Sequence, residues 1–174
     1  MNNIYIVGFM GTGKTTIANL LSVKLGRELI EMDDVIEKRE SKKISDIFSQ
    51  AGEPYFRKKE KELLCEISKR KGLIVSCGGG LICDEANLKT LKDSGIIINL
   101  NADIFTIYER TKDSSRRPIL NVKDPLDEIR DLYEKRKPSY KKADFSIDTG
   151  SKMPEEIACE IISLLEKKGD RDNV

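Results

Sequence analysis

Residues 8–15 read Gly8-Phe9-Met10-Gly11-Thr12-Gly13-Lys14-Thr15, a complete G-x-x-x-x-G-K-[ST] loop. An apolar run with strand character precedes the loop at residues 4–7, and apolar residues at helical spacing follow it as far as Gly26. The glycines let backbone N–H groups turn inward, and the helix N-terminus favours an anion there. The loop therefore predicts a phosphate site, in which Lys14 reaches the β- and γ-phosphates and the Thr15 hydroxyl ligates magnesium. The alternative, a chance match in a glycine-bearing turn, is disfavoured by the flanking strand and helix.

Short apolar runs alternate with helical patterns along the rest of the chain. The expected strands cover residues 4–7, 28–32, 73–77, 96–100 and 145–148. The expected helices cover residues 14–25, 34–40, 44–51, 54–70, 84–93, 103–111, 125–142 and 154–168. Because the strands are apolar runs rather than alternating patterns, both of their faces should be covered. The sequence thus predicts an α/β fold with a parallel sheet and helices on both faces, and ligands bind such sheets at the carboxyl ends of the strands.

Composition narrows the function classes. The chain has 174 residues, about the length of one domain, and its net charge of +1 gives no general attraction to nucleic acid or to a membrane. No apolar run approaches the roughly 20 residues that span a bilayer, and no signal peptide opens the chain, so we expect a cytoplasmic protein. The chain has no histidine. A general base near neutral pH must therefore be a carboxylate, a lysine or another unusual group.

Acidic residues and glycines follow two of the expected strands. The second strand ends in Glu31-Met32-Asp33-Asp34. Asp33 or Asp34 could cap the next helix, or could accept a proton from an attacking hydroxyl while a neighbour lies near magnesium. The third strand is followed by Gly78-Gly79-Gly80, which is either a plain loop or a place where backbone amides approach a small ligand closely.

Arginines stand at three further places. Arg116 and Arg117 lie in a polar stretch between helices, Arg57 begins a helix, and Arg136 lies near the end of a charged helix. Exposed arginines are usually solvated. In kinases of this loop class, however, mobile positive charge is needed over the transferred phosphoryl group, and a guanidinium can also fork onto a substrate carboxylate.

Several short motifs follow one another in a fixed order along the chain. They are the loop at residues 8–15, Ile36-Glu37 after the acidic strand end, Ile44-Ser45-Asp46-Ile47-Phe48, Gly52-Glu53 with Phe56-Arg57 and Glu60, Ser76-Cys77-Gly78-Gly79-Gly80, Arg116-Arg117-Pro118-Ile119-Leu120, and Arg136-x-Pro138-x-Tyr140. This ordered set resembles the shikimate kinase family over residues 4–165. The loop alone would indicate only a nucleotide-binding superfamily.

The resemblance implies a three-layer α/β/α fold of the P-loop nucleoside-monophosphate-kinase-like type, with a central five-stranded parallel sheet. It implies an enzyme that uses magnesium and ATP to phosphorylate the 3-hydroxyl of shikimate, on the pathway to chorismate and the aromatic amino acids. We expect one kinase domain over residues 1–168, with a shikimate-binding segment at about 33–60, a lid at about 112–124 and a polar tail at 169–174. ATP and shikimate are the expected partners of a monomer that binds neither nucleic acid nor membrane.

Individual roles carry over from the same resemblance. Asp33 corresponds to the aspartate at the reacting hydroxyl, Arg57 and Arg136 to the pair that holds the carboxylate, and Glu60 supports Arg57. The remaining pocket residues are Phe48, Phe56, Gly78, Gly79 and Gly80. The nucleotide contacts are Gly11, Thr12, Gly13, Lys14, Thr15, Thr16, Arg110, Arg117 and Pro154. Lys14, Asp33 and Arg117 are the expected catalytic residues, and Thr15 is the expected magnesium ligand.

One departure from the family and two alternative functions stay open. The family has Asp-x-Asp at the second strand end, whereas this chain has Glu31-Met32-Asp33. The other alignment makes Asp34 the substrate residue and puts Met32 in the first acidic position, but Ile36-Glu37 supports Asp33.

The alternative functions are another kinase of this fold, acting on gluconate or a nucleoside monophosphate, and a nucleotide-gated switch that acts on a protein.

Arg117→Ala should lower turnover more than it weakens substrate affinity, because the arginine's charge is needed mainly as the phosphoryl group moves. Arg116→Ala is the matched control and should matter less, since Arg117-Pro118 matches the family pattern. Steady-state kinetics of both variants test this. Equal and mild effects of the two variants would indicate that the segment is an ordinary solvated loop.

Overall fold

The computed structural model describes residues 2–112 and 124–172, with side chains described as far as residue 168. Arg116, Arg117 and nearly all of the expected lid lie outside the described residues. Five parallel strands form one sheet in the order β2-β3-β1-β4-β5. The strands are β1 (Asn3–Gly8), β2 (Leu29–Glu31), β3 (Ile74–Ser76), β4 (Gly95–Asn101) and β5 (Phe145–Asp148). The predicted five-stranded parallel sheet is confirmed.

Seven α-helices flank the sheet within the described residues. They are α1 (Lys14–Leu25), α2 (Met32–Glu40), α3 (Ile44–Ile67), α4 (Glu85–Ser94), α5 (Ile104–Thr111), α6 (Pro125–Tyr140) and α7 (Pro154–Asp172). A short 3₁₀ helix at Leu81–Cys83 precedes α4.

Two apolar cores lie on opposite faces of the sheet. Ile4 and Ile6 of β1 pack with α1 and α7, whereas Tyr5 and Val7 face a core to which α2 to α6 contribute. All six residues of β1 are buried, as expected for a central strand covered on both faces. The three layers predicted by the resemblance are therefore present.

The start of α2 differs from the prediction. The helix begins at Met32 rather than at residue 34, directly after β2, and Glu31 occupies the capping position without a side-chain cap bond. Asp33 and Asp34 therefore do not cap the helix; they lie in its first turn, where the helix dipole favours carboxylates. Burial of the Met32 side chain explains the early start, because an apolar residue there anchors the first turn in the core.

The two helices expected at 44–51 and 54–70 are both present. They follow one another in α3 and are separated by a kink at Gly52, whose φ of 81° and ψ of 168° are non-helical. The end of the last helix differs from the prediction. Helix α7 continues to Asp172, four residues into the expected polar tail, and Lys167 and Lys168 near its end suit the negative end of the helix dipole.

The carboxyl ends of β1 and β3 define a crevice. The strands are neighbours, but β1 is followed by α1 on one face of the sheet and β3 is followed by α4 on the other. Because the two connections diverge, space opens between them, as at the ligand-binding switch point of an open α/β sheet. The phosphate loop and the glycine triplet, residues 78–80, leave the sheet on the two sides of this crevice.

Candidate functional site

The phosphate loop depends on its glycines. Gly8, Gly11 and Gly13 have φ values of 144°, 73° and 86°, which disfavour any side chain. A Cβ on Gly8 would lie 2.3 Å from the carbonyl oxygen of Leu100, so the loop packs against β4 as well. Helix α1 begins at Lys14, in the last two residues of the loop, and its first N–H groups therefore face the expected phosphate position.

Polar side chains organise the same loop from within. Lys14 Nζ donates a hydrogen bond of 2.9 Å to the carbonyl oxygen of Phe9, and buried Thr12 Oγ1 donates one of 2.8 Å to the same oxygen. Thr15 and Thr16 are exposed in the first turn of α1. The two threonines are thus accessible to a ligand at the helix N-terminus, while the Phe9 carbonyl fixes the turn.

Glu31 lies beside Thr15 at the end of β2. Thr15 Oγ1 donates to Glu31 Oε2 at 3.3 Å, whereas the buried Oε1 has no hydrogen-bond partner. Burial raises the pKa of the Glu31 carboxyl, although the nearby hydroxyls of Ser76 and Thr15 oppose the shift. A desolvated carboxylate oxygen with no donor, next to a threonine hydroxyl, has the donor chemistry that a hard divalent cation requires. Within the described residues, no group of three or more His, Cys, Asp or Glu side chains could hold a metal alone.

The two aspartates of α2 face different places. Asp33 Oδ1 lies 3.3 Å from the position that a Cβ on Gly78 would occupy, so it faces the glycine triplet. Asp34 lines a groove of about 450 Å³ between β2, α2 and α3, together with Val35 and Lys38. Glu31 also lines this groove, but no residue of the phosphate loop or of the glycine triplet does.

Each member of the glycine triplet lies next to a different charged side chain, and Gly78 and Gly80 leave no space for a side chain of their own. A Cβ on Gly78 would lie 2.2 Å from Glu60 Oε1, and one on Gly80 would lie 2.6 Å from Arg57 Nη2. A Cβ on Gly79 would lie 3.4 Å from Arg136 Nη1. The triplet therefore brings together Arg57 and Arg136, which lie on different helices and far apart in sequence.

Arg57 is held by two carboxylates. Its Nη1 donates to Glu60 Oε2 at 2.5 Å, and its Nε and Nη2 donate to Glu53 Oε1 at 3.0 and 2.8 Å. The Glu60 side chain is fully buried, and burial raises the pKa of its carboxyl although Arg57 acts in the opposite direction. The pKa of Arg57 is also raised, because the two carboxylates outweigh the effect of burial. Glu60 Oε1 remains buried without a hydrogen-bond partner.

Aromatic rings form one wall of the site. Phe48 and Phe56 lie with their centroids 4.9 Å apart, and Arg57 Cζ lies 5.4 Å from the Phe56 centroid. The two phenylalanines come from the two parts of α3 on either side of Gly52. The bend at Gly52 therefore brings the two rings into contact, with Phe56 next to Arg57.

Of the two residues expected near the adenine, Arg110 contacts the phosphate loop. Arg110 donates to the carbonyl oxygen of Thr149 at 2.8 Å, to the Thr149 hydroxyl at 3.2 Å and to the carbonyl oxygen of Gly11 at 3.4 Å. Pro154 begins α7 and is partly exposed. Arg110 thus connects the phosphate loop to the segment that follows β5.

Two residues at the site were not predicted from the sequence. Tyr140, buried at the end of α6, donates from its hydroxyl to the carbonyl oxygen of Gly79 at 2.7 Å. Its place in the Arg136-x-Pro138-x-Tyr140 motif was a signal for it. Phe9 lies beneath Arg136, with Cζ of the arginine 5.9 Å from the ring centroid. As a non-glycine position of the phosphate loop, Phe9 carried no sequence signal for this contact.

Comparison with known proteins places the chain among kinases. The family model described as shikimate kinase matches residues 10–166. The shikimate kinase of Thermodesulfovibrio yellowstonii is 44% identical over 167 residues, covering 96% of both chains. That of Persephonella marina is 46% identical over 165 residues, covering 95% of this chain and 99% of the relative.

Solved structures agree with these relatives. The shikimate kinase of Acinetobacter baumannii in complex with shikimate has a TM-score of 0.92 and 36% identity, covering 97% of this chain and 94% of that one. A gluconokinase from Sinorhizobium meliloti has a TM-score of 0.64 at 15% identity, covering 98% and 94%, and shares the fold alone.

Glu31→Gln should raise the melting temperature at pH 7. Because the folded-state pKa of Glu31 is raised, the folded protein binds the proton more tightly than the unfolded chain. Below the pKa that the carboxyl has in the unfolded chain, the protonated group contributes fully to folding stability. This contribution is lost as the pH rises through the raised pKa of the folded protein. The stabilisation by glutamine should then be larger at pH 7 than at pH 4, as thermal unfolding without magnesium and nucleotide would measure. Glu166→Gln, at an exposed position of α7, is the control, and an equal response of both variants would contradict the burial argument.

Proposed function

The chain belongs to the shikimate kinase family, and on this premise we propose that it transfers the γ-phosphoryl group of ATP to the 3-hydroxyl of shikimate, giving shikimate 3-phosphate and ADP. This reaction is a step on the pathway to chorismate and the aromatic amino acids. The observation that carries the proposal is the convergence of Arg57 and Arg136 on adjacent glycines. Such a pair suits an acceptor with one carboxylate and several hydroxyls.

The two guanidinium groups would bind the shikimate carboxylate. A guanidinium presents parallel N–H donors that match the two carboxylate oxygens, and a partly buried position strengthens such charge-assisted bonds. Arg57 keeps its charge because Glu53 and Glu60 stabilise the cation. The wall formed by Phe48 and Phe56 would pack against the carbon ring of the substrate.

Asp33 would orient the reacting hydroxyl. It faces the glycine triplet from the first turn of α2, two residues after Glu31. Phosphoryl transfer depends on positioning and charge neutralisation more than on covalent chemistry, so the aspartate accepts a hydrogen bond and takes the proton late. No histidine exists in the chain to act instead.

The phosphate loop would hold the triphosphate, and Lys14 would neutralise its transferred end. Lys14 lies at the start of α1, within reach of the loop carbonyl of Phe9. A magnesium ion would be held by Thr15 and the nucleotide, with Glu31 beside Thr15 as the nearby carboxylate. When bound, magnesium offsets the charge of the β- and γ-phosphates. The family pattern assigns the remaining charge to Arg117, and a lid that carries it would exclude water from the transfer.

The proposal includes a monomer in the cytoplasm, where ATP is supplied. A single chain provides both the phosphate loop and the two arginines, so the site needs no second copy. No helix within the described residues is long and apolar enough to cross a membrane. The fold alone would also accommodate a gluconate or nucleotide kinase. The paired arginines over the glycine triplet favour shikimate over these, and over a nucleotide switch that needs no small-acid pocket.

Asp33→Asn should lower turnover by about 10²-fold or more, the usual scale for a positioned acid–base group. Asp34→Asn is the matched control one residue away, and its side chain faces the outer groove, so turnover should stay near that of the wild type. Single-turnover assays with ATP and shikimate compare the two. If Asp34 were the critical residue, the register of the acidic strand end would be wrong by one position.

Shikimate should be the preferred phosphoryl acceptor in a panel with its carboxamide, gluconate and nucleoside monophosphates. Loss of the carboxylate leaves two guanidinium groups without their partner and should lower kcat/KM by up to about 10⁴-fold. Arg57→Lys and Arg136→Lys should each weaken the binding of shikimate strongly, because an ammonium group cannot reproduce the planar pair of donors of a guanidinium. Equal use of the carboxamide would refute the arginine pair, and a preference for gluconate or a nucleotide would overturn the proposed function.

A further inference from the structure

The two arginines of the site are held by different kinds of contact. Arg57 is fixed by ion pairs with Glu53 and Glu60. Within the described part of the chain, no carboxylate forms an ion pair with Arg136. The buried Glu60 carboxylate attracts Arg136 through its charge, and the groups next to the guanidinium are Gly79, the Tyr140 hydroxyl and the ring of Phe9, whose centroid lies 5.9 Å from Arg136 Cζ.

The Phe9 ring is a rigid platform. It is almost fully buried, and it packs edge-to-face against Tyr133 with centroids 5.6 Å apart and planes at 85°. Its main chain is fixed as well, because the Phe9 carbonyl accepts hydrogen bonds from Thr12 and Lys14. A ring held by both an aromatic neighbour and its own backbone can impose an orientation on a cation above it.

An aromatic platform suits this position for an electrostatic reason. A carboxylate would fix Arg136 but would also occupy the donors that a ligand carboxylate needs. The face of a phenylalanine attracts the guanidinium through its quadrupole and leaves the N–H edge of the fork available. The phosphate loop also comes close to Arg136. A Cβ on Gly79 would lie 3.4 Å from the Gly8 carbonyl oxygen and 3.4 Å from Arg136 Nη1.

We propose that Phe9 is a positioning residue for substrate recognition: its ring orients the Arg136 guanidinium toward the carboxylate of the acceptor. This role rests on the proposed function, because the acceptor carboxylate is that of shikimate. It gives a residue of the nucleotide loop a part in binding the other substrate. The ring acts through Arg136 and does not itself contact the reacting atoms.

Phe9→Leu keeps an apolar side chain and the backbone carbonyl that binds Lys14, but it removes the aromatic face. The dissociation constant of shikimate should rise about five-fold, within the range of a partly desolvated cation–π contact. The KM for ATP and kcat should change little, because the carboxylate lies away from the transferred group and contributes equally to ground and transition states.

A double-mutant cycle separates this role from general distortion. Shikimate dissociation constants are measured by NMR titration, which reaches the millimolar range, for the wild type, Phe9→Leu, Arg136→Met and the double variant. If Phe9 acts through Arg136, Phe9→Leu weakens shikimate binding in the wild-type background. In a protein that already carries Arg136→Met, it has no further effect on shikimate binding. The same weakening in both backgrounds, or none in the wild type, overturns the proposal.

Phe145→Leu is the matched control. Phe145 lies on β5, away from the crevice, where Lys168 Nζ is 5.8 Å from its ring centroid. Loss of this second cation–π contact should leave shikimate affinity unchanged, and an equal loss of affinity would contradict a specific role for Phe9. If the wild-type protein binds no shikimate, the proposed function is refuted. If the wild type binds shikimate and Phe9→Leu binds it equally well, only the role of Phe9 is refuted.

Discussion

The buried ion pair between Glu60 and Arg57 is the contact on which the substrate side of the crevice depends. Glu60 has no solvent-exposed surface, and a carboxylate in such a place is costly unless a cation and hydrogen bonds compensate it. Arg57 provides that compensation, and in doing so it is drawn across Gly80 toward the centre of the crevice. The glycine triplet follows from the same constraint, because a Cβ at residue 78 would collide with Glu60 and one at residue 80 with Arg57.

The sheet topology then joins this charged cluster to the nucleotide loop. Strands β1 and β3 are neighbours, so the loops that leave their carboxyl ends line one crevice. Arg136 reaches it from α6 and Asp33 from α2, each facing one glycine of the triplet. The arginine cluster and the phosphate loop therefore meet at Gly79, which lies near both Arg136 and the carbonyl oxygen of Gly8.

Local signals made much of the fold predictable from the sequence. The phosphate loop, the five apolar strands and most helices were predicted within a few residues, because glycine spacing and apolar periodicity act over short stretches. The start of α2 was predicted wrongly, since it depends on the burial of Met32 in a core formed by distant residues. Helix α7 extends beyond its predicted end, because the basic residues Lys167 and Lys168 do not end a helix as a proline would.

The site was less predictable than the fold. The role assigned to Glu60 came from family resemblance, and the sequence held no sign that its side chain would be fully buried. The contact between Phe9 and Arg136 joins positions 127 residues apart in a chain whose local pattern describes Phe9 only as a variable loop residue. Charge, by contrast, was informative. Because the chain has no histidine, the polar chemistry of the site depends on carboxylates and arginines, and these side chains converge on the glycine triplet.

The most direct test is the affinity of Glu60→Gln for shikimate. Glutamine keeps the shape of the side chain and removes the buried charge that orients Arg57. Shikimate should bind about tenfold more weakly or worse, while ATP affinity stays near the wild-type value. Glu53→Gln removes the exposed carboxylate partner of the same arginine and should have a much smaller effect. Equal, small changes in the two variants would contradict the claim that the buried ion pair organises the site.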